Sequence, residues 1–400
     1  MTAQQQDQTR RAPRGDGEVV VVGAGILGCS IAVHLVDRGV RPVVIDPDRP
    51  GQGTSTGSFA SISAFGKDPA AWFQLACAGM SGWPRFAGRI GGDVGLRRAG
   101  EVRFTSDPEE GRRLARQVAD ARGRGYSIRM VDADEVARLL PEARVGRVAA
   151  ACFAPNDGQV EPPLVLAACR VELEAAGARL VGGRARIHLD DDGVRVEVGT
   201  EVLRPRTTVL AAGAEAVNVA AAVGLEVPTL SSPGMLAQTR PLAPLTDRVV
   251  YVPGGPGPAV GLRQRADGSV LVGERTQETP ATDPGMHHAR ALLSQAARFF
   301  PVLAGVGVDK WWLAYRAMPS DRLPIVGRLP WLDSLYLAVS HSGVTLAPVL
   351  GRLIAGEVAT ESGDGVLAPF RPARFAERAT RVMLEVESVF RDPARQDRST

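Results

Sequence analysis

Residues 18–46 read E-V-V-V-V-G-A-G-I-L-G-C-S-I-A-V-H-L-V-D-R-G-V-R-P-V-V-I-D, and this stretch constrains the chain more than any other. Val19 to Val22 are a continuous β-branched run, which predicts a parallel strand buried on both faces. The run ends in Gly23-Ala24-Gly25-Ile26-Leu27-Gly28, a G-x-G-x-x-G. A helical stretch follows to about Arg38, then a stop at Gly39 and a second strand, Pro42 to Ile45, ending on Asp46. Gly23 allows a tight turn, Gly25 lets the backbone approach a pyrophosphate, and Gly28 lets helix and strand pack closely. The helix N-terminus aims free N–H groups and a positive dipole end at the phosphates. Asp46 lies 18 residues beyond Gly28, where a carboxylate accepts from ribose hydroxyls. A lone G-x-G-x-x-G is a weak signal, but this order of strand, glycines, helix, strand and terminal acid specifies dinucleotide binding. Two other readings of the region fail. Residues 19–36 approach the length of a membrane span and Arg10-Arg11 precede them, but the run carries three glycines and His34 and feeds straight into the strand ending on Asp46.

The 400 residues, 44% hydrophobic, suffice for two domains. Net charge is +3 with arginines scattered among acids, so no basic face points to nucleic acid. Cys29, Cys77, Cys152 and Cys169 lie far apart without C-x-x-C, the pattern of reduced thiols in a cytoplasmic protein and not of a metal site. The adjacent His287 and His288 are expected to point in different directions on a helix. Residues 1–16 and 393–400 are polar and expected to be disordered.

After Asp46 the run Gly51 to Ser61 is dense in small and hydroxylic residues: a loop, or a cradle for the second half of the dinucleotide. Helices are expected at 69–89, 108–122 and from Val160 to about Ala176, with strands at 101–105 and 127–131. Strands are then expected at 178–189 and 193–203 around an Asp190-to-Gly193 turn, and at 207–210 before Ala211-Ala212-Gly213. Antiparallel strands follow at 230–240, 248–252, 259–265 and 269–274. A helix capped by Asp283-Pro284 comes next, with Leu292, Leu293, Ala296 and Phe300 on its inner face. The last segment has strands at 323–326 and 335–339, then a helix from Gly343 to about Glu357. The fold class is α/β: a Rossmann-type nucleotide domain with a second, antiparallel-sheet-rich domain.

Three separated stretches resemble the D-amino-acid oxidase superfamily of flavoproteins, near its glycine oxidase, sarcosine oxidase and D-amino-acid dehydrogenase branches. They are the fingerprint with its G-T-S-x-x-S-x-A continuation, the run Thr208 to Gly213, and Arg316 to Gly327 followed by His341-Ser342-Gly343-Val344-Thr345-Leu346-Ala347-Pro348. The resemblance implies non-covalent FAD on a discontinuous domain, 17–75, 152–228 and 318–392, with 76–151 and 229–317 as the substrate domain. It implies Gly23, Ala24, Gly25, Ile26, Leu27, Gly28, Asp46 and Pro47 at the ADP half. Gly53, Thr54 and Ser55 would meet the phosphates, with Ser58 and Ala60 in the same segment. Ala185 would make a backbone contact to adenine, and Ala212 and Gly213 belong to the returning strand. Ser342, Gly343, Val344 and Thr345 would lie near the pyrimidine edge of the ring system. A cysteine near Ala314, the flavin attachment point of some relatives, is absent because no cysteine follows Cys169.

The same resemblance puts Arg316 beside the flavin as the anchor of a substrate carboxylate, with Tyr315, Tyr251 and His341 as further active-site residues. Relatives carry lysines where Thr345 and, more loosely aligned, Leu271 stand. The implied activity is oxidation of an amine carbon next to a carboxylate, in glycine, a D-amino acid or an N-substituted amino acid. The resulting imine would hydrolyse to an oxo acid, and dioxygen or an electron carrier would reoxidise the flavin. The alternatives are a dehydrogenase with a non-dioxygen acceptor, or a non-catalytic flavin subunit of a hetero-complex. No metal, nucleic acid or membrane span is expected; an oligomer is compatible with the sequence.

Overall fold

The computed structural model describes residues 18–47, 53–191, 193–254, 259–274 and 285–375. Val19–Val22 is an inner strand of a six-stranded sheet, in the spatial order Ile325–Leu329, Leu332–Val339, Thr207–Leu210, Val19–Val22, Val43–Asp46, Arg179–Gly182. All neighbours are parallel except the outer hairpin of Ile325–Leu329 with Leu332–Val339. Both faces are covered, as an unbroken valine run requires. Val19 and Val21 pack toward the helices Ile26–Val36, Ala70–Ile90 and Gly343–Thr360. Val20 and Val22 face a small antiparallel sheet containing Arg186–Asp190 and Gly193–Val198, together with helix Ala216–Ala221.

The single strand expected over 178–189 is two strands in two sheets. Arg179–Gly182 extends the parallel sheet beside Val43–Asp46, and Arg186–Asp190 leaves to pair with Gly193–Val198. The break falls at Gly182-Gly183, where Gly183 takes φ 149, a turn that β-branched continuation would not permit. The stretch 193–203 likewise divides into Gly193–Val198 and Glu201–Leu203.

The second sheet has eight strands, ordered Lys310–Tyr315, Pro233–Pro241, Ser269–Glu274, Val260–Gln264, Val249–Val252, Glu101–Thr105, Ala150–Ala154, Arg129–Val131. Its pairs are antiparallel except Val249–Val252 beside Glu101–Thr105. The edge strand Lys310–Tyr315 was not expected from the sequence. Strand alternation divides the faces: Val250, Val252, Val270 and Val272 join Leu292, Leu293, Ala296 and Phe300 in one core, while Tyr251 and Gly273 face a cavity. The cap expected at Asp283-Pro284, the expected tails, and Asp192 of the hairpin turn lie outside the described residues. The His287 and His288 rings do not diverge; their centroids are 4.2 Å apart. No cluster of three or more potential metal ligands occurs among the described residues.

The closing helix Gly343–Thr360 fixes one end of the molecule. By composition it is long and apolar enough to cross a bilayer, and 72% of it is buried in the fold. Ser30 Oγ donates to Ala347 O at 2.7 Å across the crossing with the first helix. Pro348 lies inside this helix and has no N–H, so the carbonyl of Val344, four residues earlier, has no helical donor. Trp83 Nε1, on the fully buried side chain of helix Ala70–Ile90, donates to that carbonyl at 3.0 Å. Trp83→Phe should therefore leave a buried acceptor unpaired and lower the unfolding free energy by about 1–3 kcal/mol, read as a lower urea midpoint at unchanged slope. An unchanged midpoint would show that another donor reaches Val344.

Candidate active site

The C-terminal ends of the parallel strands and the face of the eight-stranded sheet enclose a cavity of about 950 Å³. Fingerprint, hydroxylic loop, returning strand and closing helix converge on it: Gly23, Gly25, Ile26, Leu27, Asp46, Pro47, Gly53, Thr54, Ser55, Ser58 and Ala60 line it. So do Ala185, Ala212, Gly213, Arg316, Ser342, Gly343, Val344 and Thr345, along with Tyr251, Tyr315 and His341. Ala24 and Gly28 do not line it. Ala24 N–H donates to Asp46 Oδ2 at 2.7 Å, and a methyl on Gly28 would collide with the Gly23 carbonyl, so Gly28 serves the close packing expected of it.

The first helix opens on the cavity with acceptors gathered at its N-terminus. Ile26 N–H donates to Ser55 Oγ at 2.9 Å, and a methyl on Gly25 would lie 3.0 Å from that oxygen. Donor groups and small residues thus form an anion cradle at a helix N-terminus. Ser58 Oγ is buried there without a partner, and Thr54 Oγ1 donates to Tyr315 O at 3.1 Å. The set fits a dinucleotide pyrophosphate, with Asp46 at the ribose end. Asp46 also ties the glycine loop to its strand, a second role not foreseen from the sequence.

At the other end, Arg316 Nη1 donates to Pro233 O at 2.8 Å and Ser232 Oγ at 3.4 Å. Nε and Nη2 have no protein partner among the described residues. Burial pulls the guanidinium pKa down, and Glu274 opposes this; arginine's high intrinsic value keeps it charged. The side chain occupies the space that a β-carbon on Gly234 would take, 2.8 Å from Cζ. His341 is held neutral: burial, then Lys67, Arg316 and Arg322, push its pKa down to about 3. Tyr251 is half-buried and stacks under the Arg103 guanidinium at 4.4 Å. Tyr315 is 47% exposed at the rim.

Three residues of this end were missed from the sequence. Lys67 Nζ donates to Ser342 Oγ at 2.8 Å and sits 4.6 Å from the Trp72 ring centroid. Arg103 lies over Phe65 and Tyr251 and pairs with the buried Glu101. Leu271, aligned with a family lysine, is 2% exposed and does not line the cavity; the cation that position lacks is present at Lys67. Asp157, fully buried beside this wall, accepts from the Tyr126 hydroxyl. Burial, then the Glu101 charge, raises its pKa to about 8.

Comparison with known proteins agrees with this geometry. The DAO family model, FAD dependent oxidoreductase, matches residues 18–357. Glycine oxidase of Geobacillus kaustophilus (strain HTA426) is 25% identical over 370 residues, 89% of this chain and 97% of its own. A crystal structure of glycine oxidase from Geobacillus kaustophilus superposes with a TM-score of 0.80 at 24% identity, covering 88% and 97%. An opine oxidase polypeptide of Agrobacterium tumefaciens (strain Ach5) is 26% identical over 381 residues, covering 90% and 97%. The iminodiacetate oxidase of Chelativorans sp. BNC1 superposes with a TM-score of 0.75 at 25% identity, covering 88% and 98%.

Two outcomes follow from the geometry. Gly234 has no positive φ among the described backbone, so Gly234→Ala should fold normally and displace the Arg316 guanidinium, the flexible partner in the clash. Turnover of an Arg316-dependent substrate should then fall by about 100-fold in kcat/KM, with cofactor content unchanged; full activity would place Arg316 outside the substrate site. The second concerns Asp157, whose folded pKa of about 8 exceeds its ordinary 3.8. Its contribution is fully present below pH about 3.8 and is lost as pH rises through about 8. Urea titrations across that window should show a smaller decline for Asp157→Asn than for the parent; identical pH slopes would mean the carboxyl ionises normally.

Proposed function

The chain belongs to the DAO family of FAD-dependent oxidoreductases, enzymes acting on amino acids and amines, and from that premise we propose that it oxidises an amine carbon bonded to a carboxylate, with FAD held non-covalently. The observation that carries the reading is the pairing of a dinucleotide cradle with a cavity-facing Arg316 at the opposite end of one cavity. The names of its relatives support the substrate class, since glycine and iminodiacetate both carry nitrogen on a carbon bonded to a carboxylate. No cysteine among the described residues lines the cavity, which supports non-covalent binding.

FAD, when bound, accepts a hydride from the substrate carbon and returns the electrons to dioxygen or an electron carrier. Gly23, Gly25 and the N–H groups of the first helix hold the pyrophosphate, with Asp46 at the ribose. Arg316 binds the substrate carboxylate through its open fork and orients the Cα–H. His341 stays neutral at working pH and so adds no positive charge near the substrate nitrogen. The amine must lose its ammonium proton before hydride departure; the resulting imine then hydrolyses to an oxo acid.

Anaerobic mixing with glycine, D- and L-amino acids and N-alkyl glycines is the direct test. Flavin absorbance should bleach with at least one of them, whereas a non-catalytic subunit in a hetero-complex stays oxidised. Arg316→Ala should lower kcat/KM by about 30- to several-thousand-fold, the cost of roughly 2–5 kcal/mol for a buried, unpaired carboxylate. Arg316→Lys should recover only part. A carboxylate-free amine analogue should lose little on the same mutation; an equal loss would reassign Arg316 to holding the fold or cofactor.

A further inference from the structure

The cavity has two helix N-termini, and the fingerprint helix accounts for only one. A pyrophosphate occupies the first, at Gly23 to Ile26. The second is the start of Gly343–Thr360, where Gly343, Val344 and Thr345 line the same cavity. Lys67 reaches this second end from the loop that follows strand Ser61–Ile62. Its ammonium donates to Ser342 Oγ, on the residue capping the helix, at 2.8 Å. That hydroxyl lies 3.4 Å from His341 Nδ1, so ammonium, hydroxyl and imidazole stand in one row at the helix start.

No carboxylate forms an ion pair with Lys67 among the described residues. A half-buried ammonium held only by a hydroxyl and an indole face is unfavourable for a fold, and here it adds to a helix dipole of the same sign. A positive locus of this kind needs negative charge opposite it. The carboxylate of the proposed substrate is assigned to Arg316 and the pyrophosphate to the fingerprint. Of the groups in FAD and substrate, the isoalloxazine ring is left. It gains a net negative charge when a hydride, one proton with two electrons, leaves the substrate Cα as that carbon forms its double bond to nitrogen.

We propose that Lys67, acting with the N-terminus of Gly343–Thr360, is the residue that offsets the negative charge of the reduced flavin ring and so sets the cofactor's reduction potential. The inference rests on the function proposed above. Burial, then the Arg103 charge, lowers the Lys67 pKa to about 8, with Glu101 opposing, so the ammonium is mostly charged at neutral pH. Lys67 is a positioning and charge-setting residue on the far side of the ring from Arg316 in function: one serves the cofactor, the other the substrate.

The test uses FAD-loaded protein without substrate. Sulfite adds to flavins as an anion, and its affinity reports positive charge at the ring independently of turnover. Lys67→Met should weaken sulfite binding by about 10- to 100-fold and lower the midpoint potential by about 30–60 mV, at 29.6 mV per tenfold for two electrons. Lys67→Arg should restore most of both. Lys67→Gln keeps a donor for Ser342 and should behave like Lys67→Met, which covers the case where the methionine variant folds poorly. Unchanged sulfite affinity and potential in both neutral variants would overturn the proposal. So would a rise in substrate KM with potential unmoved, since Lys67 would then hold substrate. Purified protein that neither carries nor accepts FAD would instead defeat the functional reading itself, a result distinct from either.

Discussion

A single hydrogen bond from an indole to an orphaned carbonyl fixes where the active-site end of the molecule lies. Pro348 deprives the Val344 carbonyl of its helical donor, and Trp83 supplies one from the neighbouring helix. The first turn of Gly343–Thr360 is thereby held against helix Ala70–Ile90. Much else is referred to that turn: Thr345 Oγ1 meets both the Ser61 carbonyl and the Ser63 N–H, Ser342 receives Lys67, and His341 precedes it. A buried acceptor is costly to leave unmade, so the position of this helix start is specified by satisfaction of a polar group as well as by apolar packing.

The charges of the cavity follow from burial in the same way. Lys67, Arg316 and Arg322 all act on His341, and the imidazole responds by giving up its proton. Beside them Asp157 keeps its proton for the opposite reason, because burial and Glu101 disfavour a second anion. The wall therefore combines fixed cations with groups held neutral. Such a field favours an anionic ligand while keeping the cavity free of competing side-chain carboxylates at its centre.

Much of this was legible because its signals are local. The valine run, the spaced glycines and Asp46 report one supersecondary unit, and strands 101–105, 207–210 and 269–274 appear where alternation and β-branching put them. The closing helix begins at Gly343 as its motif implied. What escaped depends on contacts between distant segments. Lys67 is one lysine in a loop without periodicity, and only the fold brings it to Ser342, 275 residues away. Trp83 read as one more apolar position on an amphipathic helix; its indole N–H acquires meaning only once Pro348 is opposite. The split at Gly182-Gly183 was hidden because both halves are strands and only their sheet differs. Arg103 was invisible for a related reason, since strand alternation does not distinguish a solvent face from a cavity face.

The interleaving of segments in the parallel sheet also imposes an order in time. Val19–Val22 lies between Val43–Asp46 and Thr207–Leu210, and Thr207–Leu210 is flanked in turn by residues near Leu335. On a ribosome, the interval from Val22 to Leu335 is about 15–60 s at roughly 5–20 residues per second. Through that interval four consecutive valines with no polar face lack their final sheet, the kind of segment that recruits other chains. The pyrophosphate cradle emerges early, but the ring end of the cavity emerges among the last described elements. A nascent chain can therefore grip the nucleotide half of a dinucleotide well before it can enclose the rest, and chaperone supply and translation rate would govern the yield of assembled protein.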